Sequence, residues 1–245
     1  MAALRALPEA PERQRLRDGV SADVWWLPLD GVPRSRLRDL RALLSGEERL
    51  RADAFGDSKG GRRFTARRAL LRVVLSRYAG GEPHELRFAR GDAGKPALVP
   101  GQASPSLRFN ASHSDGLAVV AVSACAEVGV DVERVRPDLE VDGIVRRYFS
   151  TEEALQLSLV PPARRLEAFF AAWTLKESCC KALGTGLRTD LRSFTVPIPC
   201  TEPAAMLRTG SPEPLPGCRV LTLPAPAGYA AGIALARTGV RARRR

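Results

Sequence analysis

The chain has 245 residues, 44% of them hydrophobic and 27% charged, with a formal net charge of +11. These are the proportions of an ordinary globular protein, and they exclude a collagen-like or wholly disordered chain. No run of apolar residues is long enough to cross a membrane, and the N-terminus has neither a secretory apolar core nor an acid-poor leader, so the expected location is the cytoplasm.

The positive charge favours anionic partners. Its composition tempers that reading. Lysine occurs only at 59, 95, 176 and 181, so 34 of the 38 cations are arginine. A coding bias toward arginine explains much of the total, and the few lysines that survive it stand out. The five cysteines (125, 179, 180, 200 and 218) lack CxxC spacing, and two are adjacent in a helical stretch. Free thiols in a reducing compartment are expected. With two histidines in the chain, a Cys/His zinc site is disfavoured.

Residues 1–22 show no clear period and are expected to form a flexible extension; residues 237–245 form a basic tail. A strand-like run begins at Asp23. Residues 37–55 carry a helical pattern, restarted midway by the cap signature Ser45-Gly-Glu-Glu48. After a glycine-rich interruption at 56–61, apolar residues at Phe64, Leu71, Val74, Leu75 and Tyr78 define a second helix, stopped by Gly80-Gly81. Short strands follow at 86–89, 107–112 and 117–123, the last two joined by an Asp115-Gly116 turn. The order then recurs: a strand at 127–132, helical material at 141–159, a long helix over 163–183 closed by Gly184, and strands at 193–198, 219–223 and 229–236. Two α+β halves are therefore expected, 23–124 and 125–236, with any shared site in the cleft between them. No residue-level repetition is visible between the halves.

Several residue groups could carry chemistry. In Val128-Gly129-Val130-Asp131-Val132-Glu133 the valines share one strand face, which leaves Asp131 and Glu133 about 7 Å apart on the outward, solvent face, where they could hold one hard cation. An ordinary solvated strand explains the pair equally. In the 163–183 helix, Trp173, Glu177 and Lys181 lie on one face. Glu177 and Lys181 could be a plain i,i+4 ion pair, but the aromatic residues around them suggest a buried helix. Asn110-Ala111-Ser112-His113-Ser114 puts a serine and a histidine at a strand rim. As neighbours they point to opposite faces, and no GxSxG elbow exists, so a hydrolytic triad is disfavoured and phosphate binding fits better. Gly94-Lys95-Pro96 fixes a lysine on a turn without forming a Walker A motif. Arg62, Arg63, Arg67 and Arg68, with Arg49 and Arg51 upstream, could form a phosphate cradle, a nucleic-acid stripe or a solvated face.

In chain order, RFTARRALLR (63–72), GKP (94–96), FNASHS (109–114), GVDVE (129–133) and WTLKESCCKALGTGL (173–187) resemble the Sfp-type 4′-phosphopantetheinyl transferases over roughly residues 23–236. The resemblance implies an α+β pseudo-dimer of two similar halves with the active site between them. It implies transfer of the 4′-phosphopantetheine arm of coenzyme A to a serine of an acyl or peptidyl carrier protein, with release of 3′,5′-ADP. Asp131, Glu133 and Glu177 would coordinate Mg²⁺. Glu177 would also be the general base, and Lys181 would stabilise charge on the pyrophosphate. Arg51, Arg63, Arg68, Lys95, Pro96, Ser112 and His113 would contact coenzyme A together with Asp131, Glu177 and Lys181. Glu48 stands where the family has another cation. The implied partners are coenzyme A and an acidic carrier protein, met by a monomer with no nucleic-acid or membrane role. A basic nucleic-acid-binding module would explain the charge but would leave GVDVE and the Glu177/Lys181 helix without a purpose.

Overall fold

The computed structural model describes residues 11–15, 20–91, 94–184, 189–199, 204–208 and 214–237. The elements in chain order are β1 (Glu12–Arg15), β2 (Ser21–Pro28), α1 (Arg34–Ala42), α2 (Gly46–Phe55), α3 (Lys59–Ala79), β3 (Phe88–Arg90), β4 (Pro96–Leu98), β5 (Arg108–Ser114), β6 (Leu117–Ser123), β7 (Ala126–Arg134), α4 (Asp142–Tyr148), α5 (Thr151–Leu159), α6 (Pro162–Leu183), β8 (Phe194–Thr195), β9 (Ala204–Arg208), β10 (Pro214–Leu223) and β11 (Tyr229–Arg237). The sequence is mixed α+β, as its pattern predicts.

Several boundaries differ from the sequence expectation. The 37–55 helix is two helices, because the Ser45 hydroxyl accepts from Glu48 N while the Glu48 carboxylate accepts from Ser45 N. That capping box starts α2 afresh. The glycine-rich stretch does not delay α3, which begins at Lys59 with Ser58 as its cap. The expected flexible extension contains an edge strand, since β1 pairs antiparallel with β2. The strand expected at 86–89 is displaced to β3, which forms a hairpin with β4, and the 193–198 strand shortens to Phe194–Thr195.

One sheet has the order β1-β2-β6-β5 and the other β7-β11-β10-β9-β8. Helices α1 to α3 cover the outer face of the first through Trp25, Leu27, Phe109, Val120 and Val122. The inner face carries Ala22, Val24, Leu117, Val119 and Ala121, which pack against Val128, Val130, Val132, Ile233 and Leu235 of the second sheet. On the far side, α6 lies along β7 and β11 with Phe169, Phe170, Leu175 and Cys179 buried. The layers therefore run helix, sheet, sheet, helix. Strands β7 and β11 are covered on both faces, so the outward face assigned to Asp131 is not a solvent face: α6 covers it, and Asp131 is 3% exposed.

The halves also repeat at residue level. In the first, the capping-box glutamate Glu48 accepts from Arg72 of α3 at 2.6 Å, and Arg72 Nη1 reaches the carbonyls of Pro83 and Leu86. In the second, Ser150 and Glu153 form the same box, and Glu153 takes Lys176 of α6 at 2.7 Å while Lys176 reaches Phe194 O. Each half thus pins its long helix with a buried ion pair rooted in a helix cap. The four described cysteines, 125, 179, 180 and 218, are free thiols; Cys200 lies outside the described residues. Among the described residues no helix is long and apolar enough to cross a membrane.

Candidate active site

The two sheets meet along β5 and β7, whose backbones are hydrogen-bonded to β6 and β11 respectively and not to each other. Side chains of β5 bridge the gap. Arg108 Nε donates to Glu127 at 2.6 Å, Ser112 Oγ to Asp131 at 2.7 Å and Ser114 Oγ to Glu133 at 2.8 Å, each across nineteen residues. Between them Asn110 Oδ1 accepts from Val130 N at 3.0 Å. The constant offset means that the strands run in the same direction, with alternate residues of β5 turned toward β7. Phe109, Ala111 and His113 face the other way, toward α3. Ser112 and His113 therefore lie on opposite faces, as the strand reading requires.

Helix α6 delivers the next two groups. It can approach β7 closely because Gly129 has no side chain: a Cβ there would lie 2.0 Å from Ser178 O and 2.3 Å from Ala182 N. One turn of α6 separates Glu177 from Lys181. Lys181 Nζ lies 2.6 Å from Asp131 Oδ1, 3.0 Å from Ser112 Oγ and 3.4 Å from Val130 O. Trp173, one turn earlier, packs edge-on to Tyr148 and stacks with Phe149 and Phe169. The helix is indeed buried on much of its surface, and Glu177 with Lys181 is not a plain surface pair.

Asp131, Glu133 and Glu177 are gathered where water is scarce. Burial raises the pKa of Glu177 above its ordinary value, and the nearby charges of Asp131 and Glu133 add to the rise while Lys181 opposes it. Burial also raises Glu133, with Asp131 adding repulsion and the Ser114 hydrogen bond opposing it. Asp131 Oδ2 is buried without a hydrogen-bond partner. An orphaned carboxylate oxygen beside two repelling acids is the chemistry of a hard-cation site. Among the described residues no trio of His, Cys, Asp or Glu side chains is drawn tightly enough to hold a metal ion as it stands.

Cations line the other wall. Burial, with repulsion from Arg68 and Arg51, pushes the Arg67 guanidinium down to about 10. Crowding by the protein, then Arg67 and Lys181, pushes His113 down to about 4. The imidazole is exposed, and neutral His113 prevails near pH 7. Arg51 stands 5.4 Å from the Phe64 ring centroid and Arg67 5.7 Å from it.

Of the remaining residues that the resemblance gives to coenzyme A, three are already ion-paired. Arg63 bonds to Asp30 at 2.7 Å and to Asp115 at 3.3 Å. Arg68 bonds to Glu48. Lys95 bonds to Glu127 at 3.0 Å and to Val128 O at 2.9 Å, while Pro96 begins β4 beside it. Glu48 is not a misplaced surface acid: burial works against its charge, yet Arg72 and Arg68 hold its pKa below the ordinary value. Sequence reasoning placed Arg67 in a possible phosphate cradle without linking it to His113, and missed Asn110 as a seam residue and the Glu153–Lys176 pair. The repeat of Ser-x-Glu-Glu at 45–48 and 150–153 was the available signal for the last.

Acids of β7 and α6 on one side of the β5–β7 seam, with Lys181 among them and the cations Arg67 and Arg51 on the side of His113, suit a phosphorylated substrate. Comparison with known proteins agrees. Residues 31–125 match the family model described as 4′-phosphopantetheinyl transferase, N-terminal, and residues 127–234 match that of the 4′-phosphopantetheinyl transferase superfamily. The chain is 38% identical over 200 residues to the 4′-phosphopantetheinyl transferase HetI of Nostoc sp., covering 82% of this chain and 83% of the relative. It is 32% identical over 168 residues to a putative 4′-phosphopantetheinyl transferase of Synechocystis sp., covering 69% and 67%. It is 31% identical over 156 residues to the 4′-phosphopantetheinyl transferase Sfp of Bacillus subtilis, covering 63% and 66%. The chain belongs to the 4′-phosphopantetheinyl transferase family and is an enzyme of that class.

Proposed function

We propose that this transferase moves the 4′-phosphopantetheine arm of coenzyme A onto a serine hydroxyl of an apo acyl or peptidyl carrier protein, releasing 3′,5′-ADP. The observation that carries the reading is the Lys181–Asp131–Ser112 cluster in the seam, with Glu177 one turn along the same helix. Glu177 takes the proton of the carrier serine, whose oxygen attacks the phosphorus that bears the pantetheine arm. Without metal, burial and the neighbouring acids raise the pKa of Glu177 above that of an ordinary glutamate, which favours proton uptake there. The bond from that phosphorus to the bridging pyrophosphate oxygen breaks, and its electron pair leaves with 3′,5′-ADP. Lys181 stabilises the negative charge that gathers on the leaving oxygen. His113, Arg67 and Arg51 hold the phosphates of coenzyme A, with neutral His113 acting through hydrogen bonding.

The acid cluster fits a divalent metal in charge and donor chemistry. Asp131, Glu133 and Glu177 would hold Mg²⁺, which when bound neutralises the pyrophosphate oxygens. The net charge of +11 suits an acidic carrier. One chain already supplies both walls of the cleft, so the active form is a monomer. Cytoplasmic location and the lack of a membrane or nucleic-acid role complete the reading.

The test is intact-mass spectrometry of a panel of apo carrier proteins incubated with the enzyme, coenzyme A and Mg²⁺. A gain of the phosphopantetheine mass on serine is expected. Unmodified carriers, together with tight DNA binding at moderate salt, would instead support a nucleic-acid module.

A further inference from the structure

The sequence resemblance gives Lys95 to coenzyme A, yet the structure ties it elsewhere. Its ammonium lies 3.0 Å from Glu127 Oε2 and 2.9 Å from Val128 O, and the other Glu127 oxygen accepts from Arg108 Nε at 2.6 Å. Lys95 comes from the turn before β4, Arg108 opens β5 and Glu127 is the second residue of β7. One carboxylate of the second half is therefore gripped by two cations of the first. All three side chains are partly withdrawn from water, with exposures of 18%, 33% and 31% for Lys95, Arg108 and Glu127.

No backbone ladder joins β5 to β7 directly: β5 is laddered to β6, and β6 leads into β7 after Ser123. Direct contact between β5 and β7 is made by side chains. A displacement of β5 along or away from β7 would draw Ser112 away from Asp131 and Lys181. Among the bridges along the seam, Ser112 and Ser114 belong to the reactive end. The ion-paired group lies at the other end, four residues or about 13 Å away.

We propose that Glu127, gripped by Lys95 and Arg108, is a positioning residue that holds β5 on β7, so fixing Ser112 against Asp131 and Lys181 and, on the opposite face of the same strand, the place of His113. Lys95 then serves as a strut between the halves rather than as a ligand of the nucleotide. The inference rests on the coenzyme A reading given above, and its test separates the two.

Coenzyme A is titrated calorimetrically into the full chain, without carrier or metal, for the wild type, Glu127→Gln, Arg108→Gln and the double variant. The temperature is well below each variant's unfolding midpoint. Each single variant is expected to weaken binding on the order of tenfold, and the double variant to bind about as weakly as the poorer single one, since residues of one network do not act additively. Arg108→Gln keeps the test alive if Glu127→Gln does not fold. Unchanged affinity in the folded variants, whatever their unfolding midpoints, overturns the clamp. Tighter binding by Glu127→Gln also overturns it, because it would mean that Glu127 restrains a Lys95 that binds the nucleotide. Absence of binding by the wild type overturns the coenzyme A reading itself.

Discussion

Lys181 Nζ stands 2.6 Å from Asp131 Oδ1, and it reaches that position because α6 rides against β7 at Gly129. The pair joins the helix that carries Glu177 to the strand that carries the other acids. The added Cβ of Gly129→Ala would strike backbone atoms of Ser178 and Ala182, which cannot swing aside as a side-chain tip can. The helix must lift or tilt. A stability loss of about 1–3 kcal/mol is expected from overpacking, with a much larger fractional loss of transfer as Lys181 leaves Asp131. Denaturant unfolding and turnover measured together check this; wild-type values in both would show that the close approach is not required.

Glu133 and Glu177 are acids whose folded pKa values lie above their ordinary 4.5. For a raised acid the folded state binds the proton more tightly, so its ionisation opposes folding. That penalty is absent below the ordinary pKa, grows as pH rises toward the folded pKa and is complete above it. Glu177→Gln and Glu133→Gln should therefore raise the unfolding midpoint near pH 7 in metal-free buffer, with the gain shrinking toward pH 4. Added Mg²⁺ should stabilise the wild type and do so less for either variant. Equal Mg²⁺ stabilisation in all three proteins would remove these acids from the metal assignment.

His113 is neutral at working pH, held down by crowding and by Arg67 and Lys181. An anion bound beside it offsets those cations and draws its pKa upward. Binding of coenzyme A below pH 7 should then be accompanied by proton uptake. Calorimetry in buffers of different ionisation enthalpy measures that uptake. His113→Ala should abolish it and weaken affinity, with turnover at saturation much less affected. A pure turnover defect would point to proton transfer by His113 instead.

The Glu153–Lys176 pair is fully enclosed, with both side chains 0% exposed. Removing one partner leaves the other charge buried and unpaired, so Lys176→Met should cost about 3–5 kcal/mol. Denaturant titration reads this directly. A loss below about 1 kcal/mol, the range of exposed pairs, would show that the pair is solvated in solution.

Much of the architecture is legible in local pattern. Alternating valines announce β7, Ser45 and Glu48 announce a helix start, and Asp115, at a φ of +49°, marks the β5–β6 turn. Period and cap chemistry act over a few residues, so they survive in sequence. The site is legible in its parts for the same reason, since Glu177 and Lys181 are one helical turn apart. What pattern cannot supply is which surface covers which. Asp131 reads as outward until α6 is known to lie on it, and Arg63, Arg68 and Lys95 read as free cations until Asp30, Glu48 and Glu127 are known to meet them. The seam depends on an offset of nineteen residues between strands of different sheets, a spacing with no local signature.

The most direct test of the transfer mechanism is a single-turnover reaction on an apo carrier protein at saturating coenzyme A, followed by intact mass, comparing wild type with Glu177→Gln. The substitution keeps the shape of the side chain and removes its ability to take a proton. The wild type should convert the carrier serine to its phosphopantetheine ester, while Glu177→Gln should be slower by a hundredfold or more, on the order of a lost general base, with no recovery at higher coenzyme A. Conversion by Glu177→Gln at the wild-type rate would contradict the assignment of Glu177 as the base.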